Sequence, residues 1–512
     1  MRSRNPARRP IRKLLIANRG EIAVRVLRAA KERGIETAVV FSEADRKGLP
    51  VILADEAYCI GPGPSAKSYL RGQAIADLAK TIGADAVHPG YGFLAESAKF
   101  ADQCEQAGIR FVGPPVAALA AMGSKLESRK LMNAAGVPVV PGGDRPLVNL
   151  EEAIAAAAEI GYPVMLKASA GGGGKGLRLV RRPDELAAAF RATRSEAASS
   201  FGDDSVYAEK YIERPRHVEV QIIGDVHGKV VALGERECSI QRRHQKVVEE
   251  APSPVVGSEL RAEMCSAAVR AAQAVSYCSA GTVEFLLDSN GRYFFLEMNT
   301  RLQVEHPVTE MVTGLDLVKA QLDVAEGLPL GPEFDDVRPR GHAVEVRLYA
   351  EDPYRGFVPS PGTIEFLRLP AGPGVRNDCG IYEGIEVSIF YDPMLAKLVV
   401  WGRDREQALN RLARALDELR LEGVQTTIPL YRVLVRDSDF RAGRMDIEML
   451  DRKLSAGELR VASQDDEDVL AIAAALDFME TRARTTAGAA DQAGRRDRWR
   501  ATGRRESMRS GL

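Results

Sequence analysis

Two glutamates, Glu284 and Glu297, share the stretch GTVEFLLDSNGRYFFLEMN. Its centre, Asn290-Gly291, is the favoured pair for a two-residue type I′ hairpin turn. Counting outward from that turn predicts Ser289 opposite Arg292, Leu287 opposite Phe294, Phe285 opposite Leu296, and Glu284 opposite Glu297. Period-two alternation puts Val283, Phe285, Leu287, Phe294, Leu296 and Met298 on the core side, with Asn299 on the carboxylate face. Like charges directly opposite one another destabilise a sheet unless a cation lies between them. Two carboxylates and an amide oxygen are hard ligands of the kind Mg²⁺ takes when it also holds phosphates. A solvated pair answered by nearby arginines is the plainer alternative.

Upstream, the run Gly171 to Gly174 followed by Lys175 and Gly176 formally matches GxGxxG and evokes a P-loop, but neither label survives its context. A Walker loop needs Lys followed by Ser or Thr at a helix start, whereas Lys175 leads through Gly176 into the alternating strand from Leu177 to Val180. What remains is a hairpin whose glycine tip lets backbone amides approach phosphate closely, with Lys167 supplying charge; a bland flexible turn is the competing reading. Downstream of the carboxylate hairpin, Arg301, Gln303, Glu305 and His306 crowd the proposed metal site, and CSIQRRHQKVVEEAP adds a charged strand interleaved with Val247 and Val248. A phosphate hairpin, a carboxylate hairpin and basic segments between them imply ATP and Mg²⁺ or Mn²⁺ with an anionic co-substrate.

These groups must be positioned by several domains. The chain has 512 residues, 45% of them apolar and 28% charged, which fits a globular multidomain protein and excludes a small module or a fibre. The formal charge of -1 gives no global field toward nucleic acid or anionic lipid. Six scattered cysteines without a CxxC pair suit a reducing compartment, and no apolar run approaches a membrane span. The Arg-rich start reads as a solvated basic arm, residues 1–12, rather than a targeting segment.

From Lys13 to Phe41 the pattern is strand, helix closed by Gly34, strand, and the alternation recurs to about residue 120, so a doubly wound α/β domain is expected over 13–122. An α+β nucleotide-binding domain is expected over 123–330, with a lid at about 138–205, helices from Ser124 to Ala135 and Leu150 to Ile160, and β-type runs dominating from Val206 to Pro307. A β-rich C-terminal domain with an amphipathic helix from Arg405 to Leu421 occupies 331–455. Residues 456–512 read as an extension ending in a flexible tail, with 9 arginines against 3 acids from Thr481 onward.

The segments IANRGEIAVRV, HPGYGFLAES, MGSK, KASAGGGGKG, EKYIERPRHVEVQ, ERECSIQRRHQKVVEEAPSP, FLEMNTRLQVEHPVTEM and AEDPYRGFVPSPGTIEF, in this order, resemble the biotin carboxylases, the ATP-grasp components of biotin-dependent carboxylases. The resemblance runs from about Lys13 to Leu454. It departs at both ends and at Lys175 and Leu177, where relatives often carry Arg and Met.

The resemblance implies that ATP phosphorylates bicarbonate to carboxyphosphate and that the carboxyl group passes to N1 of biotin on a carrier protein. Lys125 and Lys167 would bind the phosphates, with Gly173 and Gly174 covering them. Glu209, Lys210, Tyr211 and Ile212 match the adenine-recognition stretch, and His217 and His244 lie near the nucleotide. Glu284, Glu297 and Asn299 correspond to metal ligands. Lys246, Arg301, Gln303 and the Val304 backbone would hold bicarbonate, Glu305 would deprotonate it, and Arg347 would stabilise the biotin enolate.

The implied enzyme is a cytoplasmic ligase, the biotin carboxylase subunit of an acetyl-CoA carboxylase in fatty acid synthesis. It would form a homodimer and work with a biotin carboxyl carrier protein and carboxyltransferase subunits. No Ala-Met-Lys-Met turn is present, so biotin is expected on a separate polypeptide. A pyruvate or propionyl-CoA carboxylase subunit is the alternative, and a carbamoyl phosphate synthetase-like ligase a more distant one that the Arg347 segment opposes. A non-catalytic nucleotide-binding regulator would be expected to lose Glu305, Arg301 or a metal carboxylate, and all are present.

Overall fold

The computed structural model describes residues 8–169, 176–460, 469 and 471–479. The chain divides into two compact units, Met1–Glu458 and Leu459–Leu512. In the second, residues 471–479 form an exposed helix, and the Arg-rich segment from Thr481 lies outside the described residues.

The first unit opens with the parallel strands β1 (Lys13–Ile16), β2 (Glu36–Phe41), β3 (Glu56–Cys59), β4 (Ala86–His88) and β5 (Arg110–Phe111), in the order β3-β2-β1-β4-β5. This is the doubly wound sheet expected. Leu14, Leu15 and Ile16 are fully buried, as a continuous apolar run must be when helices cover both faces. The helix Gly20–Glu32 buries Ile22, Ala23, Val26 and Leu27 at helical spacing and ends before Gly34, whose φ of 68° only glycine adopts freely. Strand order reverses between β1 and β4, which opens a crevice at their carboxyl ends. Asn18 bridges it, its amide donating to the carbonyls of Pro89 and Tyr91, both at 2.7 Å.

Strands β6 (Val164–Ala168), β7 (Leu177–Val180) and β8 (Val206–Lys210) form an antiparallel sheet in the order β7-β6-β8, packed against helices Leu150–Ile160 and Leu186–Phe201. The glycine run Gly171 to Gly174 and Lys175, between β6 and β7, lie outside the described residues.

The largest element is an eight-stranded sheet in the order β13-β12-β9-β10-β11-β14-β16-β15. Its strands are β9 (Arg216–Gly224), β10 (Val230–Arg242), β11 (Gln245–Ala251), β12 (Ser279–Leu287), β13 (Tyr293–Asn299), β14 (His342–Tyr349), β15 (Val375–Cys379) and β16 (Met394–Gly402). Because β11 pairs with β14, the nucleotide-binding and C-terminal regions share one sheet. The helix Ser258–Ala274 interrupts the stretch expected to be dominated by β-type runs. Its Ala267, Ala268, Ala271 and Ala272 let it approach the sheet and cover Val220, Val283, Phe285 and Phe295. Each large side chain buried there contributes roughly 1.5–3 kcal/mol. The helix expected from Arg405 to Leu421 ends at Glu418, where Leu419 turns extended and a short strand, Arg420–Glu422, begins.

The carboxylate hairpin differs from expectation in an instructive way. Glu284 does face Glu297, and Thr282 faces Asn299, but Leu287 faces Tyr293 and Phe285 faces Phe295. The loop is three residues, Ser289 to Gly291: the Asp288 amide donates to the Arg292 carbonyl at 2.9 Å, and Gly291 takes the left-handed position at φ 80°. A β-bulge at Leu296 then restores the glutamate pairing. Phe295, rather than Phe294 and Leu296, therefore enters the core.

Candidate active site

Sheet register builds the site. Glu297, Glu284, Glu219 and Arg236 stand side by side across β13, β12, β9 and β10. Crowding of these carboxylates is answered by two cations. Arg236, fully buried, donates to Glu219 Oε1 (2.5 Å), Gln221 Oε1 (2.6 Å), Thr309 Oγ1 (2.9 Å) and Gln303 Oε1 (2.7 Å). Lys246 Nζ, from β11, donates to Glu219 Oε2 (2.5 Å), Glu284 Oε1 (2.8 Å) and Glu305 Oε1 (2.7 Å).

The loop between β13 and the helix His306–Thr313 brings in the remaining groups. The side-chain amides of Asn299 and Gln303 donate to Glu284 Oε1 at 2.8 and 2.6 Å, and His217 Nε2 lies 2.8 Å from Glu284 Oε2. Arg301 reaches Asn299 Oδ1 at 2.9 Å and Glu96 at 3.2 Å. Arg347, on β14, donates through Nη2 to Glu305 Oε2 at 3.0 Å and through Nε to Glu249 at 2.6 Å. Glu305 therefore holds Lys246 with one oxygen and Arg347 with the other.

Burial opposes ionisation of Glu284 and Glu305. Lys246 with His217 in the first case, and Lys246 with Arg347 and Arg236 in the second, outweigh it and hold both carboxyls well below the usual range. Glu297 moves the other way. Although its side chain opens to the cleft, surrounding protein and then the Glu284 charge push it up, and it has no hydrogen-bond or ion-pair partner among the described residues. An unanswered carboxylate beside an ionised one, with Asn299 in the next row, fits a hard divalent cation. Ligand atoms of His217, Glu219 and Glu284 also come within 4.8 Å of one another.

Lys167, Glu209, Lys210, Tyr211, Ile212, His217 and His244 all line one cavity of about 930 Å³. Its walls include Met165, Leu179, Leu286, Leu296 and Ile447, which suit a flat apolar base. Glu209 is engaged by Lys167 (2.5 Å) and Arg129 (3.0 Å), while the Lys210 ammonium donates to the carbonyls of Gly161 and Tyr162 at 2.8 and 3.0 Å. Lys125 begins the helix Lys125–Ala134; burial lowers its pKa and nearby Glu297 opposes the shift. His244 is set by the two-residue turn joining β10 to β11, in which Arg243 and His244 have φ of 48° and 67°.

Sequence reasoning missed Glu219, Arg236, Glu249, Glu96 and Lys397. The first two had a signal, since HVEVQ sets Glu219 between strand-forming valines and ERECSIQ puts three consecutive charges into a β-type run. Lys397 had none. Fully buried on β16, it donates to the Val304 carbonyl at 2.7 Å.

Comparison with known proteins decides the family. Models of the biotin carboxylase N-terminal domain, the carbamoyl-phosphate synthase L chain ATP-binding domain and the biotin carboxylase C-terminal domain match residues 10–119, 124–332 and 345–452. The chain is 52% identical to biotin carboxylase 1 of Bacillus subtilis over 442 residues, 86% of this chain and 98% of that one. The chain belongs to the biotin carboxylase family.

As a biotin carboxylase it is an ATP-dependent ligase. Other relatives carry different names: a pyruvate carboxylase subunit of Methanothermobacter thermautotrophicus is 52% identical over 90% of this chain and 94% of its own. Among solved structures, the biotin carboxylase domain dimer of Hydrogenobacter thermophilus 2-oxoglutarate carboxylase, in complex with MgADP, ADP and bicarbonate, superposes with a TM-score of 0.85 at 47% identity, covering 89% of this chain and 100% of that one. The Campylobacter jejuni biotin carboxylase–βγ-ATP complex gives 0.84 at 46% identity, covering 86% and 99%.

Proposed function

We propose that this biotin carboxylase phosphorylates bicarbonate with ATP to give carboxyphosphate and ADP, then transfers the carboxyl group to N1 of biotin with release of phosphate. One observation carries the reading: Glu305 joins Lys246 to Arg347 through its two oxygens, so the anion-binding and biotin-facing cations meet at one carboxylate.

Adenine would enter the apolar cavity, with Glu209, Lys210, Tyr211 and Ile212 along its wall and His217 and His244 beside it. Gly173 and Gly174 would form the cover. Lys125 and Lys167 would meet the phosphates. Glu284, Glu297 and Asn299 would hold Mg²⁺, which when bound neutralises phosphate charge as it transfers. Bicarbonate would lie against Lys246, Arg301, Gln303 and Val304, where cationic groups offset the crowding of anions. An incoming anion that draws Lys246 from Glu305 removes the largest contact holding that carboxyl ionised, which raises its proton affinity and makes it a better base. Arg347 would donate its planar fork to the biotin enolate, a geometry lysine cannot supply.

For the complete reaction we propose acetyl-CoA carboxylation in fatty acid synthesis, in the cytoplasm, as a homodimer supplied with biotin by a carrier protein and followed by a carboxyltransferase. The chain matches stand-alone biotin carboxylases along nearly their whole length, and no described helix is long and apolar enough to cross a membrane. Pyruvate carboxylation is the second reading, favoured by the equally similar pyruvate carboxylase relative. The test measures ATP cleavage with Mg²⁺, bicarbonate and free biotin, omitting each in turn. Turnover should require bicarbonate and Mg²⁺ and rise with biotin; equal turnover without bicarbonate overturns the reading. Reconstitution with carrier and carboxyltransferase subunits and each acyl acceptor then separates the two complete reactions.

A further inference from the structure

Lys397 is a complete lysine side chain with no exposure to solvent, in a fold where an unpaired buried ammonium would cost several kcal/mol. Its register makes the placement harder to accommodate. On β16 it lies directly opposite Arg347 of β14 and Asp378 of β15, so two cations face each other across adjacent strands. Arg347 is answered by Glu249 and Glu305. Lys397 is answered by Glu21 at 3.1 Å and Asp378 at 3.9 Å, and its Nζ stands 5.8 Å from the centre of the Tyr91 ring. Burial opposes its charge, but Glu21, Glu345 and Asp378 more than restore it.

With its charge answered by these carboxylates, the ammonium still directs one donor, at 2.7 Å, to a backbone carbonyl, that of Val304. Gln303 and Glu305 flank that residue. Their side chains reach Glu284 and the Lys246–Arg347 pair respectively. Glu21, in the first turn of the helix that follows β1, accepts from Tyr91 in the loop after β4. Lys397 thus ties the Gln303–Glu305 turn to the crevice of the parallel sheet and to the C-terminal end of the large sheet.

We propose that Lys397 is a positioning residue for the carboxylation reaction: by fixing the Val304 carbonyl it sets the turn that presents Gln303, Val304 and Glu305 to bicarbonate. The assignment rests on the bicarbonate site proposed above. A purely structural lysine would support folding and leave the kinetics of correctly folded enzyme untouched.

The experiment compares the full chain with Lys397→Arg, which keeps the charge and so the buried ion pairs but moves the donor, and with Lys397→Met, which removes both. Initial rates are measured against bicarbonate and ATP separately, with circular dichroism and melting temperature as controls for folding. For Lys397→Arg the bicarbonate KM should rise at least threefold and kcat should fall, while the ATP KM stays within twofold. Lys397→Met, where it folds, should show the larger change of the same kind. An unchanged bicarbonate KM in folded Lys397→Arg overturns the proposal, as does a fall in kcat with both KM values unchanged, which marks only a smaller active fraction. If the parent enzyme shows no dependence on bicarbonate, the bicarbonate reading itself fails, an outcome distinct from a normal parent with a silent Lys397→Arg.

Discussion

Two hairpins of the eight-stranded sheet bracket the site and solve the same problem differently. In the β12–β13 hairpin, Gly291 takes the left-handed position, and Asp288 Oδ1 accepts from the amides of Asn290 and Arg292, both at 2.9 Å. The loop is exposed and conformationally relaxed. In the β10–β11 hairpin, Arg243 and His244 both adopt positive φ with no glycine to ease it, at a cost on the order of 1–2 kcal/mol each. Both residues line the cavity proposed to take the nucleotide. Favourable turn chemistry therefore sits where the chain only reverses direction, and backbone strain sits where side chains must be aimed at a ligand.

The largest effect that would sharpen this contrast lies beyond the relaxed turn, on the strands it joins. On the proposed metal assignment, Glu297→Gln should lower Mg²⁺-dependent turnover by on the order of 100-fold or more, since an anionic ligand would be lost where transition-state charge is stabilised. It should leave the metal-free melting temperature unchanged, because Glu297 has no partner among the described residues and faces a like charge. Glu284→Gln should match it in turnover but also destabilise the metal-free fold by about 1–3 kcal/mol, because it removes one of the three carboxylates that answer Lys246 and the one beside His217. Equal melting behaviour of the two variants would show that the row is not divided as described.

Acid should act next most strongly. Glu284 and Glu305 have folded pKa values depressed below the ordinary value near 4.5, so their stabilisation is fully present above that value and is lost as pH falls through the folded values. Denaturant midpoints measured from pH 6 down to pH 3 should fall, and Glu305→Gln should flatten the decline. A steeper decline in that variant would contradict the assignment.

The strained turn predicts a smaller change of opposite sign. Replacing Arg243 and His244 together by glycine should raise stability by about 1–2 kcal/mol while weakening ATP binding, read by melting and by calorimetric titration. No gain in stability would mean the two turns do not differ in strain. Smallest of all, Asp288→Ala should cost about 1 kcal/mol through the lost loop hydrogen bonds and leave Mg²⁺ dependence unaltered.

The pairing of Glu284 with Glu297 was legible because strand alternation and a turn signal agree on it, yet the turn itself was misread. Asn-Gly favours a two-residue loop locally, but packing of Phe295 into the core beneath the helix Ser258–Ala274 selects a longer loop and a compensating bulge at Leu296. Arg243-His244 was invisible as a turn because it contains none of the glycine, asparagine or aspartate that mark two-residue hairpin turns. Glu219 and Arg236 meet Glu284 only through strand pairing between segments distant in the chain, which no local pattern encodes. The family resemblance supplied Lys246, Glu305 and Arg347, while Lys397 becomes visible only when three parts of the fold converge on it.

The two oxygens of Glu305 have a further consequence. A carboxylate gripped on one side by Lys246 and on the other by Arg347 works as an interlock: while both cations hold it, it is a poor proton acceptor. If bicarbonate engages Lys246 and biotin engages Arg347, as proposed, the grip loosens in two stages: ATP cleavage is slow without bicarbonate and quickens again when biotin joins it.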